Sequence, residues 1–343
     1  MEEEEKERQL AAAEAEAERL RLEEEEAENQ RQAAAAAAAA EAEANQAAAA
    51  ISTDHLAFWL YDVGAVMVFP EVDGSAFRTV KLEFTGEELK QDYEWYSTPL
   101  DGNRIHQVLD EEVETRMLKI DAGAENYEIE ALADSNQARH YPANIFIAQK
   151  NIVLLIGGYI DEVFDTVSVF NVEEGSWTMM PQTLTTGRAL CSACLVGNSL
   201  FVVAGTTGNG VTNTIERLPI AGLEDASLPW EQITPPEGLT PRREPLSLST
   251  GVNQNQILIL GGYDKEKQFK DAWCLNTETN EFSQNEDCER YIWNYYNSAC
   301  FVNNGTAFAV ALTTVEEEEL AVCIKYQQGD STPQILETFE ADF

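Results

Sequence analysis

Residues 151–177 read NIVLLIGGYIDEVFDTVSVFNVEEGSW. An apolar run, Ile152 to Ile156, ends in Gly157-Gly158 and a short polar loop. A second run, Phe164 to Phe170, leads to the turn signal Glu173-Glu174-Gly175 and then to Trp177. Two short β-rich runs bounded by glycine and acidic residues predict consecutive strands of one antiparallel sheet. The paired glycines close the first strand, where a side chain would obstruct the turn or crowd a neighbouring backbone.

The phrase recurs downstream. Residues 256–282 read QILILGGYDKEKQFKDAWCLNTETNEF, with strand, Gly261-Gly262, polar loop, strand, turn and aromatic in the same order. Between the two copies, FVVAG (ending at Gly205), TNTIERLPI and a closing Trp230 repeat it again. The closing aromatics Trp177, Trp230 and Phe282 lie 53 and 52 residues apart. A period of that length, with four short strands and a double glycine per unit, is the signature of a propeller blade. Through GGY at 157 and 261 and the aromatic two strands later, the sequence resembles the kelch-repeat proteins. The resemblance implies an all-β, kelch-type β-propeller of four-stranded antiparallel blades.

Worn copies extend the pattern. Ala65 to Phe84 aligns with Ile152 to Asn171 without a gap, with Phe69-Pro70-Glu71 replacing the glycines and Trp95 as the expected closing aromatic. Arg104 to Tyr127 reads as a blade short of one strand. Ser298-Ala299-Cys300 repeats Ser192-Ala193-Cys194, and 307–312 with 320–326 make a further strand pair. Six blades over 51–343 are therefore expected. Either 51–61 or 334–339 is expected to supply a strand that closes the ring.

Residues 1–50 contain no Gly or Pro and consist largely of Glu, Ala, Gln and Arg, all strong helix formers. They predict an acidic helical extension that acts as a spacer, or as a weak self-association helix. This segment carries −10 of the net charge of −39, leaving −29 on the rest. A body so acidic excludes the basic footprint that nucleic acid or an anionic membrane surface requires. It favours a basic partner if the charge is used at all. Met1 followed by four glutamates offers no secretory start, and no apolar stretch reaches bilayer length, so a cytoplasmic protein is expected. The six cysteines, Cys191-x-x-Cys194 included, read as small buried thiols rather than a metal or redox pair.

Two sets of residues gather at one end of the predicted blades. Second-to-third-strand loops carry Glu71 and Asp73, Glu111, Glu112 and Glu114, Asp161 and Glu162, Asp264 to Lys267, and Glu316 to Glu319; only 206–210 is neutral. The connection into each new blade carries an arginine: Arg104, Arg139, Arg188, Arg243 and Arg290. Two readings stay open. The arginines tie neighbouring carbonyls and rim acids, as kelch repeats commonly do, or they present bidentate donors to a partner's carboxylates, as the resemblance to certain kelch adaptors implies.

No catalysis is expected and no cofactor. Copper-radical oxidases of kelch type need converging His and Tyr ligands, but His55, His106 and His140 fall in different units. Glu130 and Asp134 match part of the iron-binding Glu-x-x-x-Asp-x-x-x-His pattern of plant specifier proteins, with Ala138 where the His belongs. A non-enzymatic protein-interaction scaffold is expected, and the resemblance implies cytoskeletal or ciliary assemblies as its setting. The alternative is a substrate-recognition subunit of a ubiquitin-ligase-like complex, although 1–50 resemble neither a BTB nor an F-box segment.

Overall fold

A computed structural model describes residues 56–339 apart from 61–63, 71–76, 85–94, 102, 251–254, 295–299, 304–305, 316–317, 328–329 and 331. All belong to one compact unit, Ala47–Phe343. The predicted helix over 1–50 lies outside the described residues, among which there is no α-helix.

Among the described residues six sheets follow one another along the chain, antiparallel throughout but for one edge pairing in the second. The first holds β1 (Leu56–Leu60), β2 (Gly64–Pro70) and β3 (Phe77–Lys81). The second holds β4 (Glu83–Phe84), β5 (Trp95–Asp101), β6 (Arg104–Leu109), β7 (Thr115–Asp121) and β8 (Asn126–Ala131). The third holds β9 (Ala143–Ile147), β10 (Ile152–Ile156), β11 (Val167–Asn171) and β12 (Ser176–Met179). The fourth holds β13 (Ser192–Val196), β14 (Ser199–Thr207), β15 (Gly210–Pro219) and β16 (Glu231–Ile233). The fifth holds β17 (Leu246–Thr250), β18 (Gln256–Leu260), β19 (Ala272–Asn276) and β20 (Phe282–Gln284). In the sixth, β21 (Ile292–Trp293) and β22 (Cys300–Asn303) pair in turn with β23 (Thr306–Val315), followed by β24 (Glu318–Gln327) and β25 (Gln334–Phe339).

The opening strands β1, β5, β9, β13 and β17 pack each on the next, and β17 continues onto β22 and β23. They are the inner strands of propeller blades.

The expected six four-stranded blades are corrected to five. The 65–84 copy forms only a three-stranded sheet, from which the chain leaves as β4 to run parallel to β8 on the outer edge of the second sheet. The second sheet, expected to lack a strand, is complete because 95–101 forms its inner strand. Trp95 therefore does not close the preceding unit; it opens the next, and it is buried. Pro99 sits inside that strand and lacks an N–H, which breaks the strand signal in sequence. Neither terminal strand is shared: β1 belongs to the first sheet and β25 is the outer strand of the last.

The repeat is readable in its hairpins. Asp121, Asn171 and Asn276 end the third strand of their sheets, and each side-chain oxygen accepts the N–H groups two and three residues on, at 3.0–3.1 Å. Asx turns of this kind satisfy the hairpin backbone locally. Side chains on β10 alternate as a strand requires: Val153 packs with Leu100 and Met117 of the second sheet, Leu154 and Ile156 with Leu200 and Val202 of the fourth. Covered on both faces, β10 can be wholly apolar, and each fully buried Leu or Ile contributes about 1.5–3 kcal/mol. The closing aromatics face backwards. Trp177 packs on the second sheet, Trp230 on the third and Phe282 on the fourth, and the Trp177 indole donates to the Ala133 carbonyl at 3.0 Å.

Candidate functional site

Ala143 pairs with Ile156, which pairs with Val167, so the start of the inner strand and the second-to-third-strand loop share one end of the blade. At that end each sheet grips the next. Gly158, Gly205 and Gly262 donate their N–H groups to the carbonyls of Arg188, Arg242 and Ile292 at 2.7–2.9 Å. Gly157 (φ 64°) and Gly261 (φ 60°) bring the turns so close that a Cβ would enter the van der Waals shell of the Arg188 or Ile292 oxygen. Only glycine fits there. In the second sheet Glu111, at φ 58°, takes the same place and donates to the Arg139 carbonyl at 3.2 Å.

The gripped residue turns its side chain the other way, into its own sheet. Arg139, Arg188 and Arg242 each stand four residues before an inner strand and are 1%, 0% and 0% exposed. Arg139 donates to the carbonyls of Gly157 and Thr166, and to Gln137 Oε1, Thr166 Oγ1 and Ser168 Oγ. Arg188 donates to the carbonyls of Ala204 and Thr214 at 3.1 Å and pairs with buried Glu216. Arg242 donates to the Gly261 carbonyl at 2.9 Å and grips Asp271 with both terminal nitrogens at 2.6 and 2.7 Å. The Arg139 cage holds no carboxylate, and burial pulls its pKa down to about 10.

The five predicted arginines therefore part company. Arg139 and Arg188 are consumed by the fold, and no partner reaches them without opening a blade. The equivalent residue in the fifth sheet is Arg242, not Arg243, because it must stand four positions before the first residue of β17. Arg104 begins β6, beside Asp101 at 2.8 Å, rather than preceding an inner strand. Arg290 is partly exposed, and the carbonyl in the equivalent place is that of Ile292.

Beyond the staples the connections line the axis. Tyr141, Leu190 and Glu244, at φ 51–54°, form a chain of backbone hydrogen bonds: Leu190 donates to Tyr141, Glu244 to Leu190, and Asn294 to Glu244, at 2.7–3.1 Å. The Tyr141 N–H donates to Tyr96 Oη at 2.7 Å, and that hydroxyl donates to Asp110 at 2.6 Å. Burial and the Asp110 charge push the Tyr96 pKa up. The residue after each staple bridges to the one after its own sheet's glycine turn: His140 to Tyr159, Ala189 to Thr206, Arg243 to Tyr263.

These bridges bring an aromatic, mostly acidic group to the mouth. His140 Nδ1 lies 2.6 Å from Asp110, with its ring 3.7 Å from that of Tyr141 and 4.9 Å from that of Tyr159. Arg243 lies 4.5 Å over the Tyr263 ring, partly exposed, and makes no ion pair among the described residues. Tyr263 Oη donates to Glu244 at 2.7 Å; burial, then that charge, raise its pKa. The loops outside carry exposed Glu111, Glu112, Glu114, Asp161, Glu162 and Glu266, with Lys265 and Lys267 in between. Glu71, Asp73, Glu316 and Glu317 lie outside the described residues. Sequence reasoning missed Tyr96, Asp110, Tyr141, Tyr159 and Tyr263, although the Tyr of GGY at 159 and 263 was the available signal.

Such a mouth can recognise side chains by ring stacking and charge. Among the described residues no group of three or more His, Cys, Asp or Glu could hold a metal ion. His106 is buried away from the mouth against Phe170 and Trp177, and burial drops its pKa to about 3. Cys191, Cys194, Cys274, Cys288 and Cys323 are buried, and burial raises the pKa of Cys191 to about 11. No helix among the described residues is long and apolar enough to cross a membrane.

The family model that matches this chain, over residues 127–311, is the KLHDC2/KLHL20/DRC7 Kelch-repeats domain. The chain belongs to the kelch-repeat family. Its match runs from β8 into β23 and takes in the third, fourth and fifth sheets entire. Kelch-like protein 40 of Xenopus laevis is 29% identical over 144 residues, covering 38% of this kelch chain and 22% of that protein. The chain thus spans about a fifth of the curated relative's length.

Proposed function

We propose that this chain is a non-enzymatic, cytoplasmic kelch propeller that docks a partner protein at the axial mouth. One observation carries the reading. Arg243 is the predicted arginine that lies at the axis on an aromatic ring, with no ion pair among the described residues to occupy it. Tyrosine and arginine are residue types that dominate interface energetics. Tyr159 and Ile160 (40% exposed), and Tyr263, stand in equivalent loops after the glycine turns of their sheets. Residues 1–50 act as a separate acidic extension, and the setting, by family, is a cytoskeletal or ciliary assembly.

Affinity capture from the native cell with wild-type and Arg243→Ala/Tyr159→Leu chains tests this. Partner recovery should fall at least about tenfold, roughly 1.4 kcal/mol, with melting unchanged. Full recovery would place docking elsewhere. The match to Kelch-like protein 40 favours a second reading, a substrate-recognition subunit of a ligase-like complex; ligase components among the captured proteins would distinguish it.

A further inference from the structure

We infer that the segment docked at this mouth is basic, and that it places a guanidinium or ammonium group over Tyr159. The inference rests on the mouth being the docking surface. Its starting point is an internal equivalence. Tyr159 and Tyr263 follow the glycine turns of the third and fifth sheets and make the same backbone bridge, one to His140 and the other to Arg243. In the fifth sheet the chain's own guanidinium lies 4.5 Å over the Tyr263 ring. In the third sheet the residue in Arg243's place is His140, which meets Tyr159 edge-on, at 69°, and turns its Nδ1 to Asp110. Among the described residues no Lys or Arg lies over the Tyr159 ring, and carboxylates stand on the loops beside it.

Those carboxylates come from two sheets. Asp161 and Glu162 follow Tyr159 on its own loop, and Glu111, 66% exposed, stands 3.9 Å from the His140 ring on the preceding one. Ile160 lies between Tyr159 and Asp161 with an exposed apolar surface, along which the aliphatic stem of an Arg or Lys can run. A ring face flanked by carboxylates and an apolar strip suits a long basic side chain and repels an acidic one. The body as a whole, at −29, draws such a segment toward the surface and slows the approach of an anionic one.

Fluorescence anisotropy of the full chain with labelled hexa-arginine and hexa-glutamate peptides tests the assignment. Hexa-arginine should bind and hexa-glutamate should not. Tyr159→Leu should weaken hexa-arginine at least about fivefold, while Tyr159→Phe, which keeps the ring, should stay within about twofold. Asp161→Asn with Glu162→Gln should weaken it by a similar factor, with melting temperature checked for each variant. Glu173→Gln with Glu174→Gln, at the other end of the same sheet, removes the same charge away from the mouth and should change binding by less than about twofold. Equal losses from the two charge pairs, or no loss in Tyr159→Leu, would mean that only the overall field attracts the peptide, and would overturn the site. Binding of hexa-glutamate that Arg243→Ala abolishes would overturn it while leaving the mouth as the docking surface. Peptide binding that none of these mouth variants moves would overturn the docking surface as well.

Discussion

The junction of the second and third sheets and that of the third and fourth are built on the same arginine and answer its charge in different ways. Arg139 lies among carbonyls, hydroxyls and one amide oxygen, whereas Arg188 faces Glu216 with both side chains fully buried. In the fifth sheet the acid returns as Asp271, two residues ahead of its third strand's counterpart to Glu216. The constant feature is a planar fork with carbonyls in reach; the carboxylate is a local addition. Buried ion pairs often bring no net gain over a neutral arrangement, yet removing one partner costs heavily. The two junctions should therefore differ most when an acceptor is deleted.

Glu216→Ala should cost about 3–5 kcal/mol in urea unfolding, because Arg188 then stays buried with its charge unanswered. Ser168→Ala, which deletes one neutral acceptor of Arg139, should cost about 1 kcal/mol. Equal losses would dissolve the contrast. The neutral junction carries its own liability in His106, fully buried with its pKa lowered to about 3. The unfolded chain takes up that proton near pH 6.5 and the folded chain does not, so stability falls as pH drops from 6.5 toward 3. From pH 7 to pH 5 the loss should be about 2 kcal/mol, and His106→Leu should remove most of that slope. An unchanged slope would show that His106 is protonated in place. The smallest difference compares two glycines of the third sheet with like backbone angles. Gly175 (φ 62°) has open space beyond its Cα, and Gly157 (φ 64°) abuts the Arg188 carbonyl. Gly175→Ala should cost about 1 kcal/mol and Gly157→Ala clearly more.

Much of the fold was legible because the third to fifth units each repeat an apolar second strand, a glycine turn and an aromatic that reaches the sheet before, and the third and fifth add an Asx hairpin. Where one device was replaced, the reading slipped. Pro99 hid the inner strand of the second sheet, and with it the true place of Trp95 and Arg104. Residues 83–84 pair across to another sheet, and nothing in two residues announces that. The site was harder to read. Burial of a charge depends on acceptors supplied by strands 16 to 29 residues away, so the sequence left open whether Arg139 and Arg188 tie the fold or face a partner. With Arg242 and Arg243 adjacent, only the distance to β17 tells which one turns inward. The spacing of Arg139 from Ala143 and of Arg188 from Ser192 held that answer once the strand starts were known.

That adjacent pair tests the central claim most directly: the repeat's arginines are interior staples, and the neighbouring residues form the mouth. Thermal melting of Arg242→Met and Arg243→Met compares two substitutions of the same kind at consecutive positions. Arg242→Met strands Asp271 beside an apolar side chain, at about 3–5 kcal/mol, and should lower the melting temperature by at least about 5 °C. Arg243→Met should stay within about 1 °C of wild type, since a partly exposed cation on a ring contributes little to folding. Equal shifts, or a larger one at Arg243, would contradict the account.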